Sequence, residues 1–139
     1  MKLTDQVALI IGGARGIGET IAHTFSKEGA SLVLVDLAKM KTELDAVAQA
    51  VNQNRGKAVA ITADCSDDRQ VSSLVDETVR RFGKIDILIN SAGFRGPLVA
   101  VTEISDKEFD DVSLCNLKVV FLGCRAVLKQ TVKQKSGSS

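Results

Sequence analysis

The chain has 139 residues, of which 45% are hydrophobic and 25% charged, enough for one domain with a buried core. A formal net charge of +1 excludes the broad positive surface that binds nucleic acid or anionic lipid. Three cysteines without Cys-x-x-Cys spacing, beside a single histidine, predict reduced, mostly buried thiols and no metal site. Residues 1–6 lead directly into the first apolar run, and no such run is long enough for a bilayer, a pattern typical of a cytoplasmic protein.

The first β-α unit surrounds a glycine-rich turn. Residues 7–11 form a short, apolar, largely β-branched run that predicts a buried strand. Ile17, Ile21 and Phe25 recur every fourth residue, which predicts a helix with one apolar face, and Gly29 marks its end. Three of the four glycines between this strand and the start of the helix, Gly12, Gly16 and Gly18, fall in the pattern Gly-x-x-x-Gly-x-Gly.

The same alternation continues along the chain. Three further apolar runs of strand length lie at residues 31–35, 58–61 and 85–89. Helices are expected at about residues 42–54, from the capping side chains at 66–68 to Gly83, and from the capping box at 105–108 through Val127. This order predicts an α/β fold, a doubly wound parallel sheet with about four strands. We expect the domain to occupy residues 1–132 and residues 133–139 to form a flexible polar end.

The glycine turn is suited to a phosphate group. Amide groups at a helix start lack intrahelical acceptors and carry the positive end of the helix dipole. Gly12 accommodates a tight turn, Gly16 leaves room for a phosphate, and Gly18 lets the helix approach the strand. The turn alone is also compatible with an ordinary strand-to-helix connection.

Polar residues end the other predicted strands, where ligands bind in such sheets. Asp36 follows Gly18 at about the separation of an acidic residue that accepts hydrogen bonds from the adenosine ribose. A carboxylate there would repel a 2′-phosphate, which favours NAD over NADP, although Arg15 is able to bind that phosphate. Asp36 is otherwise a turn residue. Asp64 is either an acceptor for the adenine amino group or a residue that helps to start the next helix.

Several of these motifs occur together in one family. The glycine turn, Asp36, Asp64, the run Asn90-Ser91-Ala92-Gly93 and Asn116 together resemble the classical short-chain dehydrogenases/reductases over nearly the whole chain. The resemblance implies a Rossmann-type fold and an oxidoreductase that transfers hydride between a nicotinamide and an alcohol or carbonyl substrate. It also implies that the run at 90–93 lines the cofactor.

The resemblance also assigns a role to Asn116. It implies that this residue is the asparagine of a catalytic tetrad and holds a water in the proton relay. From the residues alone, Asn116 is a polar residue on an apolar helical face. The expected cofactor contacts are Gly12, Arg15, Gly16, Ile17, Gly18, Asp36, Leu37, Asp64, Cys65, Asn90, Ala92 and Gly93.

The sequence departs from the family pattern at three places. Ile11 stands where the family usually has threonine, and Ser91 replaces the second asparagine of the Asn-Asn-Ala-Gly run. The family's catalytic Ser and its Tyr-x-x-x-Lys do not occur within the 139 residues, which contain no tyrosine. Without a group to exchange the substrate proton, we expect the chain alone to be inactive.

Three hypotheses follow for the whole molecule. The first is the cofactor-binding portion of an NAD-dependent oxidoreductase, acting on a small alcohol or carbonyl compound and able to form a homo-oligomer. The second is a non-catalytic dinucleotide-binding or regulatory module that pairs with a full-length relative through its fourth helix. The third is an unstable truncated product without function.

Overall fold

The computed structural model describes residues 1–138 and contains a four-stranded parallel sheet. The strands are β1 Val7–Ile11, β2 Ser31–Asp36, β3 Lys57–Thr62 and β4 Ile87–Asn90. Their spatial order is β3-β2-β1-β4, so β2 and β3 are added on one side of β1 and β4 on the other, and the strand order reverses at β1. Ile11 pairs with both Val35 and Asn90, which brings the carboxyl ends of three strands to one edge. The predicted α/β fold is confirmed.

Helices connect the strands and cover both faces of the sheet. They are α1 Gly16–Lys27, α2 Lys41–Gln53, α3 Asp68–Phe82, α4 Asp106–Ser113 and α5 Val119–Gln134. Short 3₁₀ turns occur at Ala38–Met40 and Val101–Glu103. The predicted fourth helix is interrupted by a π-helical segment, Leu114–Lys118, between α4 and α5.

Local sequence signals explain the ends of α3. The Asp67 carboxylate accepts a hydrogen bond from the Arg69 N–H and so caps the first turn. Gly83 ends the helix with φ 81°, a left-handed conformation that glycine adopts without steric cost. Both signals were readable in the sequence, and both are confirmed.

The core lies on both faces of the sheet because alternate residues of each strand point to opposite sides. One cluster joins Leu9, Ile11 and Val33 to apolar residues of α3 and α5. A second cluster, on the other face, joins Ile10 and Leu34 to residues of α1 and α2. β1 is therefore buried on both sides and fixes the turn that follows it.

The end of the described chain is more regular than the predicted polar tail. α5 continues to Gln134, whose side-chain amide accepts from the Ile85 N–H and donates to the Ile85 carbonyl. Ser138 then donates its N–H to the Asp86 carbonyl and accepts from the Leu88 N–H. The predicted boundary at residue 132 therefore falls inside α5, and Ser138 pairs with β4.

Within residues 1–138, no helix is both long and apolar enough to cross a membrane.

A buried carboxylate ties β4 to β1. Asp86 is 6% exposed and accepts from the Val7 N–H at 2.8 Å, while its own N–H donates to the Val7 carbonyl. The Lys84 ammonium lies 3.0 Å from the same carboxylate and reaches solvent. The carboxylate therefore satisfies a buried amide at the start of the central strand.

Asp86→Ala is expected to lower the free energy of unfolding by about 1–3 kcal/mol, because it leaves a buried N–H without an acceptor. Lys84→Ala is the control and should cost less than about 1 kcal/mol, since its ammonium is partly solvated. Urea denaturation measures both. Equal losses in the two variants would contradict the role assigned to the Val7 hydrogen bond.

Candidate functional site

The glycine turn holds β1 and α1 close together. Gly12 has φ 87°, and the N–H groups of Gly12 and Gly13 both donate to the Val35 carbonyl. A Cβ atom added at Gly18 would lie 1.9 Å from the Gly12 carbonyl oxygen, so no larger residue fits without movement of the backbone. The close packing expected of Gly18 is therefore confirmed.

Gly16 borders open space at the start of α1. It has φ 60°, and a Cβ atom placed there would meet nothing within 4 Å. Arg15, the residue before the helix, forms no side-chain hydrogen bond that caps it. The first amides of α1 therefore face a region where an anion would meet both hydrogen-bond donors and the positive end of the helix dipole.

The Asp36 carboxylate is fixed beside the glycine turn. One oxygen, Oδ2, accepts from the Ala14 N–H at 3.2 Å, and the other accepts from the Leu37 N–H at 2.9 Å. The side chain is half-buried at the carboxyl end of β2. Each oxygen accepts one described hydrogen bond, and a carboxylate oxygen has capacity for a second.

Asp64 and Cys65 follow β3 on the neighbouring part of the edge. Asp64 Oδ1 accepts from both the N–H and the hydroxyl of Ser66, at 2.9 and 2.6 Å, so this oxygen organises the turn into α3. Burial, reinforced by the charges of Asp64 and Asp36, raises the pKa of the Cys65 thiol to about 12. The Cys65 thiol is therefore uncharged at neutral pH and forms an apolar part of the site.

Asn116 lies in the π-helical segment and holds the loop that follows β4. Its Nδ2 donates to the Phe94 carbonyl at 2.8 Å, and its Oδ1 accepts from the Phe94 N–H at 3.0 Å. A Cβ atom at Gly93 would come within 2.8 Å of the same Oδ1. The Asn116 side chain and the Phe94 backbone thus form a pair of hydrogen bonds. Glycine at position 93 leaves the space that this pair needs.

Asn90 faces α5 rather than the edge of the sheet where the glycine turn lies. Its Nδ2 donates to the Cys124 sulfur at 3.5 Å, and its Oδ1 is buried without a hydrogen-bond partner among residues 1–138. The Oδ1 atom lies 3.0 Å from where a Cβ of Gly123 would be, next to the Ile11 side chain. Its position is that of a core residue beneath the site.

A cavity of about 600 Å³ opens above these strand ends. Ten of the expected cofactor contacts line it: Gly12, Arg15, Gly16, Ile17, Asp36, Leu37, Asp64, Cys65, Ala92 and Gly93. Gly18, Asn90 and Asn116 are not among the lining residues; they support the turn, the core and the loop. Its volume lies within the range of small-molecule sites, and five separate segments of the chain contribute to its lining.

Sequence reasoning missed several lining residues. They are Lys39, Met40, Ala63, Ser66, Leu114, Cys115 and Val119. Residues 39 and 40 lie in the 3₁₀ turn that follows Asp36. Their closeness in sequence to the end of β2 could therefore have identified them as lining residues. Leu114, Cys115 and Val119 reach the cavity through the packing of α4 and α5, which no local pattern indicates. Within the described residues, no cluster of three or more metal-ligating side chains occurs.

Comparison with known proteins places this geometry in a family. The sequence profile described as short chain dehydrogenase matches residues 6–138. The chain belongs to the short-chain dehydrogenase family. This confirms the resemblance carried by the glycine turn, the strand-end residues and Asn116.

Individual oxidoreductases match nearly the whole chain. Levodione reductase of Leifsonia aquatica is 38% identical over 136 residues, which are 98% of this chain and 51% of that protein. The crystal structure of NAD+-bound xylitol dehydrogenase has a TM-score of 0.94 at 29% identity, covering 99% of this chain and 52% of that one. A metagenomic short-chain oxidoreductase in complex with NADP has a TM-score of 0.91 at 28% identity, covering 99% and 61%. The chain spans about half the length of the curated relatives it matches.

Gly18→Ala is expected to lower the free energy of unfolding by about 3 kcal/mol, because the new Cβ overlaps the Gly12 carbonyl oxygen. In a helix without this overlap, alanine would stabilise by about 0.5–1 kcal/mol relative to glycine. Gly16→Ala meets no atom and should cost only the left-handed backbone term of about 1–2 kcal/mol. Chemical denaturation compares the two, and a Gly18→Ala chain as stable as the unsubstituted one would contradict the close approach.

Proposed function

We propose that this chain binds NAD(H) and that the complete protein transfers hydride between the nicotinamide and a small alcohol or carbonyl substrate. The observation that carries the proposal is the Asp36 carboxylate held against the glycine turn by the Ala14 N–H. This arrangement presents an acceptor for ribose hydroxyls next to the amides that suit a diphosphate. Membership in the short-chain dehydrogenase family supports the reaction class.

The cavity residues suit successive parts of an adenine dinucleotide. The open space at Gly16 and the amides at the start of α1 receive the diphosphate, and Asp36 receives the adenosine ribose. Ala63, Asp64 and Cys65 then form a wall for the adenine. When bound, the nicotinamide supplies the hydride chemistry, and the chain's own residues bind and orient it.

The choice between NAD and NADP depends on the charges around the ribose. Asp36 would face a 2′-phosphate with like charge, which favours NAD. Arg15 and Lys39 also line the cavity and favour a phosphate there. We give Asp36 more weight because two backbone amides fix its carboxylate, whereas both cationic side chains are exposed.

Fluorescence titration with NADH and NADPH tests this choice. We expect NADH to bind at least about tenfold more tightly, a difference of about 1.4 kcal/mol. Asp36→Asn should reduce that ratio and strengthen NADPH binding, because the Asp36 charge then no longer opposes Arg15 and Lys39. Asp45→Asn, the same change at an exposed residue of α2, should leave the ratio unaltered. Preference for NADPH in the unsubstituted chain would contradict the proposal.

Asn116 completes the proposed contribution of this chain to catalysis. By the family resemblance it is the tetrad asparagine, and its hydrogen bonds to Phe94 hold the loop beside the cavity. Its side chain thus positions the loop, and the resemblance assigns to it a water of the proton relay. Proton exchange with the substrate needs a further acid–base group beyond those placed here, so this chain's proposed role is to bind and orient the cofactor.

A second candidate function is a dinucleotide-binding module that acts through a partner. It is favoured by an exposed apolar stripe at helical spacing on α5, formed by Phe121, Leu128 and Val132 and extended by Leu117 in the π-helical segment before it. Such a stripe, the α5 stripe, suits another helix of the same kind, either in a second copy or in a full-length relative. The same stripe also suits the subunit interface of a homo-oligomeric oxidoreductase. The second candidate function therefore differs from the first only in having no catalytic activity of its own.

Leu128→Gln with Val132→Gln should shift the chain from dimer to monomer in sedimentation equilibrium, because two apolar contacts are lost at the stripe. Lys129→Gln with Lys133→Gln on the same helix changes side chains that are already polar, and should leave the association unchanged. An unsubstituted chain that stays monomeric, and that does not bind a full-length relative, would exclude the α5 stripe as an interface.

A cytoplasmic location is part of the same proposal. Cys65, Cys115 and Cys124 are all free thiols, which suits a reducing compartment.

A further inference from the structure

β3 is an edge strand that presents backbone groups to its outer side. The spatial order β3-β2-β1-β4 places it at one end of the sheet. Just after β3, the Ala63 N–H donates to the Asp36 carbonyl at 2.9 Å, so the odd-numbered residues of this segment bond toward β2. Backbone groups alternate in direction along a strand, and the N–H and carbonyl groups of Ala58, Ala60 and Thr62 therefore point away from the sheet.

The Asn52 side chain covers this outer side at Ala58. Its Nδ2 donates to the Ala58 carbonyl at 3.0 Å, and its Oδ1 accepts from the Ala58 N–H at 2.8 Å. A side chain from the last turn of α2 thus makes the two hydrogen bonds that a neighbouring strand would otherwise make. Ala60 and Thr62 have no such side-chain cap among residues 1–138.

The sequence of β3 itself does little to prevent pairing with another strand. Residues 58–62 read Ala-Val-Ala-Ile-Thr and contain no charge and no proline, which are common means of keeping an edge strand single. Three of these five residues are β-branched and favour extended backbone. The charged residue of β3, Lys57, stands before them. The protection of this edge therefore depends on groups outside the strand.

A second copy of β3 fits the same edge by symmetry. With a twofold axis at Ala60 the two strands are antiparallel, and Ala58 lies opposite Thr62 of the second copy. The outward groups at 58, 60 and 62 then form three hydrogen-bonded pairs over a segment of ordinary strand length. Asn52 blocks the first and third pairs, because each includes Ala58. An axis at Ile61 avoids Ala58 but leaves two pairs.

We propose that the Asn52 side chain caps the edge of the sheet and so prevents β3 from pairing with β3 of a second copy of this chain. The inference goes beyond the proposed cofactor function, since neither Asn52 nor Ala58 lines the cavity. It also concerns a different surface from the α5 stripe, which belongs to a helix that follows β4 in the chain.

Hydrogen–deuterium exchange, resolved to single amides by NMR, tests the cap in the 139-residue chain. In the unsubstituted chain, the Ala58 amide should exchange slowly, and the Ala60 amide should exchange at a rate independent of chain concentration. In Asn52→Ala, the Ala58 amide should lose its protection in dilute solution. Raising the chain concentration from about 50 μM to about 1 mM should then slow exchange at Ala58, Ala60 and Thr62 about threefold, for a Kd of about 100 μM.

Asn54→Ala is the matched control. Asn54 also lies at the end of α2, but its Nδ2 donates to the Ala50 carbonyl within the helix. Exchange at Ala60 should therefore stay independent of concentration in this variant. A second control combines Asn52→Ala with Thr62→Pro, which removes an outward N–H that the pairing needs but no hydrogen bond to β2. The concentration dependence should disappear in this double variant.

Two results would overturn the inference. One is concentration-dependent protection of Ala60 in the unsubstituted chain, and the other is its absence in a folded Asn52→Ala chain. Exchange at the β1 amides shows whether that variant is folded. If it is not, Asn52→Ser takes its place, because the shorter side chain gives up the paired bonds to Ala58 with a smaller change in polarity. Failure of the unsubstituted chain to bind NAD+ would overturn the proposed function and leave this inference intact.

Discussion

The close approach of α1 to the end of β1 is the constraint on which the site depends. Gly18 packs against the Gly12 carbonyl at a distance that excludes a Cβ atom. Because β1 is buried on both faces, it cannot shift to relieve any crowding at this contact. The first amides of α1 are thereby fixed next to Asp36, whose carboxylate holds the Ala14 N–H. The start of α1, which suits a phosphate, and the Asp36 carboxylate, which suits a ribose, are therefore held rigidly next to each other.

The second side of the cavity is held differently, by side chains that satisfy backbone groups. Asn116 binds both the N–H and the carbonyl of Phe94, and the π-helical segment around it places Cys115 at the cavity wall. π-helical turns inside helices often coincide with functional sites. The glycine side is determined by close backbone packing, while the loop after β4 depends on one amide side chain. We therefore expect the loop side to tolerate less chemical change at Asn116 than at its neighbours.

Much of this structure was predictable from local patterns, because those patterns act over a few residues. The strand at residues 7–11, the stop at Gly83 and the close packing of Gly18 each follow from sequence periodicity or glycine stereochemistry. The meeting of the strand ends at one cavity was also predictable, but the contacts made by α4, α5 and the end of the chain were not. The pairing of Ser138 with β4, the bonds of Asn116 to Phe94 and the entry of Cys115 into the cavity depend on how α4 and α5 pack. Asn90 shows the same limit, since its position in a family motif did not reveal that it faces α5.

The central claim is that the glycine turn and Asp36 form one binding surface for an adenine dinucleotide. The most direct test is the change in backbone amide NMR signals when NAD+ is added to the isotopically labelled chain. We predict the largest shifts at Ala14, whose N–H binds Asp36, and at Gly16, Ile17 and Leu37, which line the cavity. Shifts confined to the groove between β3 and α3, at Arg69 and Gln70, would contradict the account. So would a spectrum that NAD+ does not change.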